Sequence, residues 1–185
     1  GSPVINMASV EGVTSAGVTV PVEGASVKFS SIVGGATFEA FGVTNSSGEI
    51  CRESSEGSLA WGVTLRENDY AVTIAPPLGG EFESLVVPVV RITYSGDGTQ
   101  MGQVFDLGLK PPLMGRFVVG GTGTPLEGIT VEAYPVRSIE GGDQGSPLAR
   151  FDAGETGYDG MLRLALDRGW YDVLLKPTVS DGIAW

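Results

Sequence analysis

The sequence predicts an all-β chain of two units in tandem, and three observations carry that reading. Glycine and proline supply 29 and 11 of the 185 residues, a turn-forming load that suits many short strands and disfavours helices. Apolar residues alternate along several short runs, the period of a strand with one buried face. Three sequence blocks also recur in the same order along the chain.

The first block, Pro21–Phe29, matches Pro125–Ala133. Proline fixes one turn angle, and the following glycine takes the angle other residues resist. A strand then begins: Ala25, Val27 and Phe29 alternate, as do Ile129, Val131 and Ala133. The second block, Thr44–Ile50, matches Thr156–Leu162, and its Ser47-Gly48 and Asp159-Gly160 pairs are tight hairpin signals. The third, Tyr70–Pro76, matches Tyr171–Pro177, an alternating strand that proline ends.

Further strands are expected over Val4–Val13, Phe38–Thr44, Leu59–Leu65, Leu85–Tyr94 and Gln103–Leu109 in the first unit. The second adds Gly115–Val119, Leu148–Asp152 and Met161–Leu166. Lys110-Pro111-Pro112 is a short, stiff junction, so the units are read as 1–110 and 111–185. Carrying the last repeat offset forward would take the second unit to residue 211, past the end at 185. That unit is therefore expected to lack its last one or two strands. A boundary inside a longer parent is the favoured reason; a strand supplied by a partner is the alternative.

Composition removes several function classes. There is no histidine, which excludes Ser-His-Asp and Cys-His catalysis and histidine–metal centres. Residues 1–110 carry 5 basic and 12 acidic side chains, residues 111–185 carry 6 and 10. Neither unit offers the basic footprint of nucleic-acid binding. No apolar run is long enough to span a membrane. Cys51 stands alone, without a disulfide partner or a base, and reads as a small packed residue. So few thiols fit an exported bacterial chain. Gly1-Ser2 reads as a cloning remnant.

The segments Gly115–Val119, Gly123–Val131, Thr156–Gly160 and Arg168–Val173 together resemble the carboxypeptidase regulatory-like domain, and in turn the transthyretin-like and Cna-B-type folds. The first unit matches more loosely through Pro21–Phe29 and Tyr70–Pro76, with Glu11-Gly12-Val13 where the opening strand belongs. The resemblance implies a Greek-key, immunoglobulin-like β-sandwich of about seven strands per unit. It also implies a tandem accessory, stalk or adhesive module of an exported, often lipid-anchored, bacterial protein. Some Cna-B-type relatives carry a Lys–Asn or Lys–Asp isopeptide bond. With only Lys28, Lys110 and Lys176 to draw on, and Arg116 in the second opening strand, such a bond is disfavoured here.

Candidate sites are sparse. The acid pairs Glu53/Glu56, Glu81/Glu83 and Asp167/Asp172 read as solvated surface acids rather than a glycosidase pair. Asp97, Asp152, Glu155 and Asp159 lack the spacing of a calcium loop and read as turn residues. Gly120–Gly123 has no following helix and is no phosphate cradle. Trp61 shares parity with Leu59, Val63 and Leu65 and is expected in the core. Trp170 has the opposite parity to Tyr171, Val173 and Leu175, and is the best exposed aromatic. The Pro135–Pro147 insertion brings Arg137 and Asp143. The expected function is a non-catalytic spacer or docking module outside the cytoplasm. Its expected partner is a protein or a neighbouring domain, and it needs no cofactor. The alternative is a glycan-binding or adhesive module using Trp170, Arg137 and Asp143.

Overall fold

The computed structural model describes residues 3–31, 37–53, 58–136 and 148–177. Its regular structure is all β. Among the described residues no helix is long and apolar enough to cross a membrane. The chain divides into two compact units, Gly1–Leu109 and Lys110–Trp185.

The first unit opens with β1 (Pro3–Val13), β2 (Thr19–Pro21), β3 (Ser26–Ser31), β4 (Glu39–Thr44) and β5 (Ile50–Glu53). It continues with β6 (Leu59–Trp61), β7 (Val63–Arg66), β8 (Asn68–Ala75), β9 (Leu85–Ile92) and β10 (Thr99–Leu107). One sheet runs β10-β1-β2, with β7 also on β1; the other runs β6-β5-β4-β3-β8-β9. β10 pairs with β1 in parallel, while β9 lies antiparallel on β8. Both sheets turn their alternating apolar residues inward, so that Val4 and Val10 of one meet Phe29, Tyr70, Val72 and Ile74 of the other. β9 and β10 complete this core with Val90, Ile92, Phe105 and Leu107.

The second unit holds β11 (Pro112–Arg116), β12 (Thr130–Pro135), β13 (Asp152–Glu155), β14 (Met161–Ala165) and β15 (Tyr171–Lys176). β11 pairs with β14, and a separate three-stranded sheet runs β13-β12-β15. Its core is small: Ile129, Val131, Ala133, Leu162, Leu164 and Leu166.

The recurring blocks make the same bonds in both units. Val10 N donates to Gly48 O at 2.7 Å, and Phe117 N to Gly160 O at 2.9 Å. The Thr44 hydroxyl accepts from Ala25 N at 2.8 Å, and Thr156 from Ile129 N at 2.9 Å. The Tyr70 hydroxyl donates to Arg66 O at 3.0 Å, and Tyr171 to Asp167 O at 2.9 Å. Gly48 and Gly160 each take φ of +74°, and a Cβ on either would stand 2.4 Å from a backbone carbonyl oxygen, that of Val10 or of Phe117. Only glycine fits that turn, which closes the β4–β5 hairpin in the first unit and links β13 to β14, in different sheets, in the second.

Four sequence expectations are corrected. Leu59–Leu65 is not one strand: Gly62, at φ +92°, turns the chain from the six-stranded sheet to the sheet of β1. Side-chain parity does not carry across that turn. Val63 and Leu65 are buried, but Trp61 is 37% exposed rather than core, with its indole N–H donating to Ala8 O at 3.4 Å. The second unit's opening strand also begins at Pro112, earlier than Gly115, and its third strand starts at Asp152 rather than ending there.

Candidate docking site

The described strands of the second unit, β11 to β15, correspond in order to β1, β3, β4, β7 and β8 of the first. From Thr44 to Tyr70 is 26 residues and from Thr156 to Tyr171 is 15, so the first unit has an extra excursion, occupied by β5 and β6. Past that excursion the registers agree: Val63 opposes Asn6 on β1, and Leu164 opposes Leu113 on β11. β15 therefore stands where β8 stands, and β11 where β1 stands. In the first unit β9 covers β8 and β10 covers β1. Among the described residues of the second unit, no strand pairs with the corresponding edges of β15 and β11.

The consequence is visible side chain by side chain. Val72 and Ile74 are fully buried; their counterparts Val173 and Leu175 are 48% and 39% exposed. Leu113 on β11 is exposed as well. Between the two edges lies a groove of about 290 Å³ lined by Pro111, Pro112, Leu113, Leu166, Tyr171 and Val173, with Asp167 and Arg168 at its polar side. Such apolar surface normally stays covered.

Of the charged groups that line the groove, Asp167 is held by a partner outside it. The Arg150 guanidinium grips Asp167 with Nε 2.7 Å from Oδ2, and the Asp167 side chain is only 3% exposed. Asp167 is thus not the solvated acid that its loop position suggests; a partner 17 residues upstream draws it inward, while Asp172 stays exposed. Beside Asp167, burial raises the Tyr171 hydroxyl above its ordinary value, and the Asp167 charge adds to the shift. Lys110 is buried too, its side chain 1% exposed and its Nζ 4.0 Å from Asp152 Oδ2. The other two lysines sit in exposed pairs, Lys28 with Glu39 at 2.6 Å and Lys176 with Glu132 at 2.7 Å. The burial of Lys110 has a weak sequence signal, its place between Leu109 and two prolines.

Of the candidate ligand residues, Trp170 is 65% exposed, and its carbonyl accepts from Val136 N at 2.9 Å. That bond extends the β12–β15 ladder by one pair. Trp170 and Asp172 therefore share the outer sheet face with Tyr134, which opposes Asp172. Arg137 and Asp143 lie outside the described residues, as does Glu56. Asp97 holds its turn, accepting from Thr99 N and Ser95 Oγ at 3.0 Å each, bonds that pull its carboxyl below the usual range. Asp159 likewise accepts from Met161 N. Among the described residues no three Asp, Glu or Cys gather as a metal site. Cys51 is buried; burial first, then Glu49, raises its thiol.

No family model and no curated protein matches this chain. Among solved structures it is similar to a streptococcal ancillary pilin, at 17% identity over 95% of this chain and TM-score 0.37. The chain spans 54% of that pilin's length. It is also similar to the shaft pilin SpaA of Lactobacillus rhamnosus GG, at 10% identity, 97% and 89% coverage and TM-score 0.40. A DUF3823 family protein of Bacteroides ovatus follows at 15% identity, 94% and 82% coverage and TM-score 0.28. At this distance none of them speaks for what the chain does.

Proposed function

We propose that the chain is a non-catalytic structural and protein-docking module of an exported bacterial surface protein, and that the β11–β15 edge is its docking face. One observation carries this reading: the apolar residues that β9 covers in the first unit stand exposed in the second. The chemistry the groove asks for is an extended polypeptide, with apolar residues at alternate positions to fill it and backbone groups to extend the sheet. A regulatory-like or Cna-B-type sandwich in each unit suits that role.

A second reading, glycan binding, is favoured by the outer face of β12–β15, where Trp170 and Tyr134 stand beside Asp172.

Thermal-shift measurements separate the two. The purified chain is heated with a peptide of the β9 sequence, with calcium and with a glycan panel. A ligand at one hundred times its Kd adds about 2.7 kcal/mol if it binds only the folded state. The docking reading expects a rise with the peptide alone. A rise with a glycan and none with the peptide would transfer the function to the outer face.

A further inference from the structure

We propose that the cleft between β9 and β10 of the first unit binds a single neutral sugar residue, with the Asn6 amide as its anchor. The proposal is independent of the docking reading above. Asn6 is the odd residue of its row. It lies on the inner side of β1 between Val4 and Ala8, both core residues, and is only 3% exposed. Its carboxamide has two hydrogens to donate and an oxygen that accepts, yet it bonds no group of the described residues. A buried amide in that state costs stability, and an apolar residue would simply continue the row. Asn6 instead borders a cleft of about 330 Å³, with Val90 of β9 and Phe105 of β10 in its walls. That volume is roughly ten times the share of one liquid water and falls within the range of small-molecule pockets.

Two bulges shape the cleft. In the β8–β9 ladder Pro88 and Val89 together face Ala71, and in the β1–β10 ladder Gly102 and Gln103 together face Ala8. Extra residues of this kind bend a strand and re-aim its side chains, often beside a site. Gly102 is required at its bulge, because a Cβ there would stand 2.5 Å from the Ala8 Cβ. Gln100 ties the two walls together: its Oε1 accepts from Thr93 N at 3.1 Å, and its Nε2 donates to Arg91 O at 3.4 Å. The cleft is therefore held open by the backbone rather than by mobile side chains.

Charge selects the class of ligand. Among the described residues no carboxylate lines the cleft, and the charge of Arg91 is spent on Asp69, with Nε and Nη2 at 2.8 and 3.0 Å from its oxygens. Neither a cation nor a free anion is called for. The unpaired Asn6 amide asks for groups that both donate and accept, as sugar hydroxyls do. Gln103, exposed at its bulge, supplies a second amide to the lining. Val89 and Met101, 58% and 71% exposed, also border the cleft and offer apolar contact to the C–H face of a sugar ring.

Nitrogen-edited NMR titration of the full chain tests this with glucose, galactose, mannose and N-acetylglucosamine in turn, and with N-acetylglycinamide as an amide control. At least one sugar is expected to shift the Asn6 side-chain amide and the Gly102 backbone amide saturably, with a dissociation constant of about 1 mM or weaker. Asn6→Leu is expected to abolish the Gly102 shift while the melting temperature holds or rises, since the unpaired amide is gone. Gln103→Ala, at an exposed position, is expected to raise the dissociation constant about fivefold, and it decides the matter if Asn6→Leu folds poorly. No saturable shift with any sugar at about 100 mM overturns the proposal and leaves water as the occupant. A response to the amide control alone overturns it too. Sugar binding indifferent to either substitution also overturns it, and places the sugar elsewhere on the chain.

Discussion

Val72 and Val173 stand at the same place in the repeated unit, yet Val72 is fully buried and Val173 is 48% exposed. Each occupies the third position of a Tyr-x-Val strand whose tyrosine hydroxyl bonds the carbonyl four residues upstream. What differs is the next strand: Val87 of β9 lies opposite Val72, and among the described residues nothing lies opposite the free side of Val173. Truncating the two therefore has unequal cost. Val72→Ala is expected to destabilise the first unit by about 2 kcal/mol, and Val173→Ala the second by well under 1. Denaturant titration of each variant measures both.

The buried threonines are the repeat's shared fastening. Each hydroxyl takes a backbone N–H that has no water to fall back on, Ala25 at Thr44 and Ile129 at Thr156. Thr156 also donates to Leu126 O at 2.6 Å. Thr44→Val and Thr156→Val each strand that donor and are expected to cost about 1–3 kcal/mol. Thermal denaturation of the two variants is expected to show similar losses in different units.

Asp167 is held almost out of water by Arg150. Asp167→Asn removes the carboxylate charge beside the Arg150 guanidinium. The expected cost is about 2–4 kcal/mol, with Arg150→Met/Asp167→Asn less harmful than Asp167→Asn alone. A double-mutant cycle by chemical denaturation reads the difference.

Alkaline pH tests Tyr171. Its folded pKa is raised above the ordinary 10.0 by burial first and by Asp167 second. The raised value favours the protonated hydroxyl in the folded state, so its contribution is complete below the unfolded value and fades as pH climbs through the folded one. Stability is expected to fall above about pH 10, less steeply in Tyr171→Phe. Some slope remains, because Tyr134 is shifted the same way by its bond to Glu132.

Cys51 is expected to stay inert. Burial and then Glu49 push its thiol up, which starves it of thiolate at neutral pH. Thiol-reactive dye is expected to label the native chain slowly and the unfolded chain at once; equal rates would contradict the burial.

The features legible in the sequence are local ones. The Pro-x-x-Gly turns, the Gly48 hairpin, the Gly160 turn, which links β13 and β14 in different sheets rather than as a hairpin, and the Tyr70 and Tyr171 strands announce themselves because turn chemistry and alternation act over a few residues. Parity failed at Trp61, since a single left-handed glycine moved the chain between sheets without disturbing the apolar alternation. The Arg150–Asp167 pair and the buried Lys110 join positions 17 and 42 residues apart, and no spacing rule reports such contacts. Trp170 was readable as exposed from parity alone, because it sits one residue before a strand whose direction the repeat had already set.

The central claim is that the β15 edge is open and takes a strand. Amide hydrogen exchange on dilute protein, with and without the β9 peptide, tests it most directly. The account expects the amides of Tyr171, Val173 and Leu175 to exchange freely and to slow when the peptide is added, while the Val72 amide is slow throughout. Protection of Val173 and Leu175 equal to that of Val72 in the peptide-free chain, or free exchange that saturating peptide leaves unchanged, would contradict it.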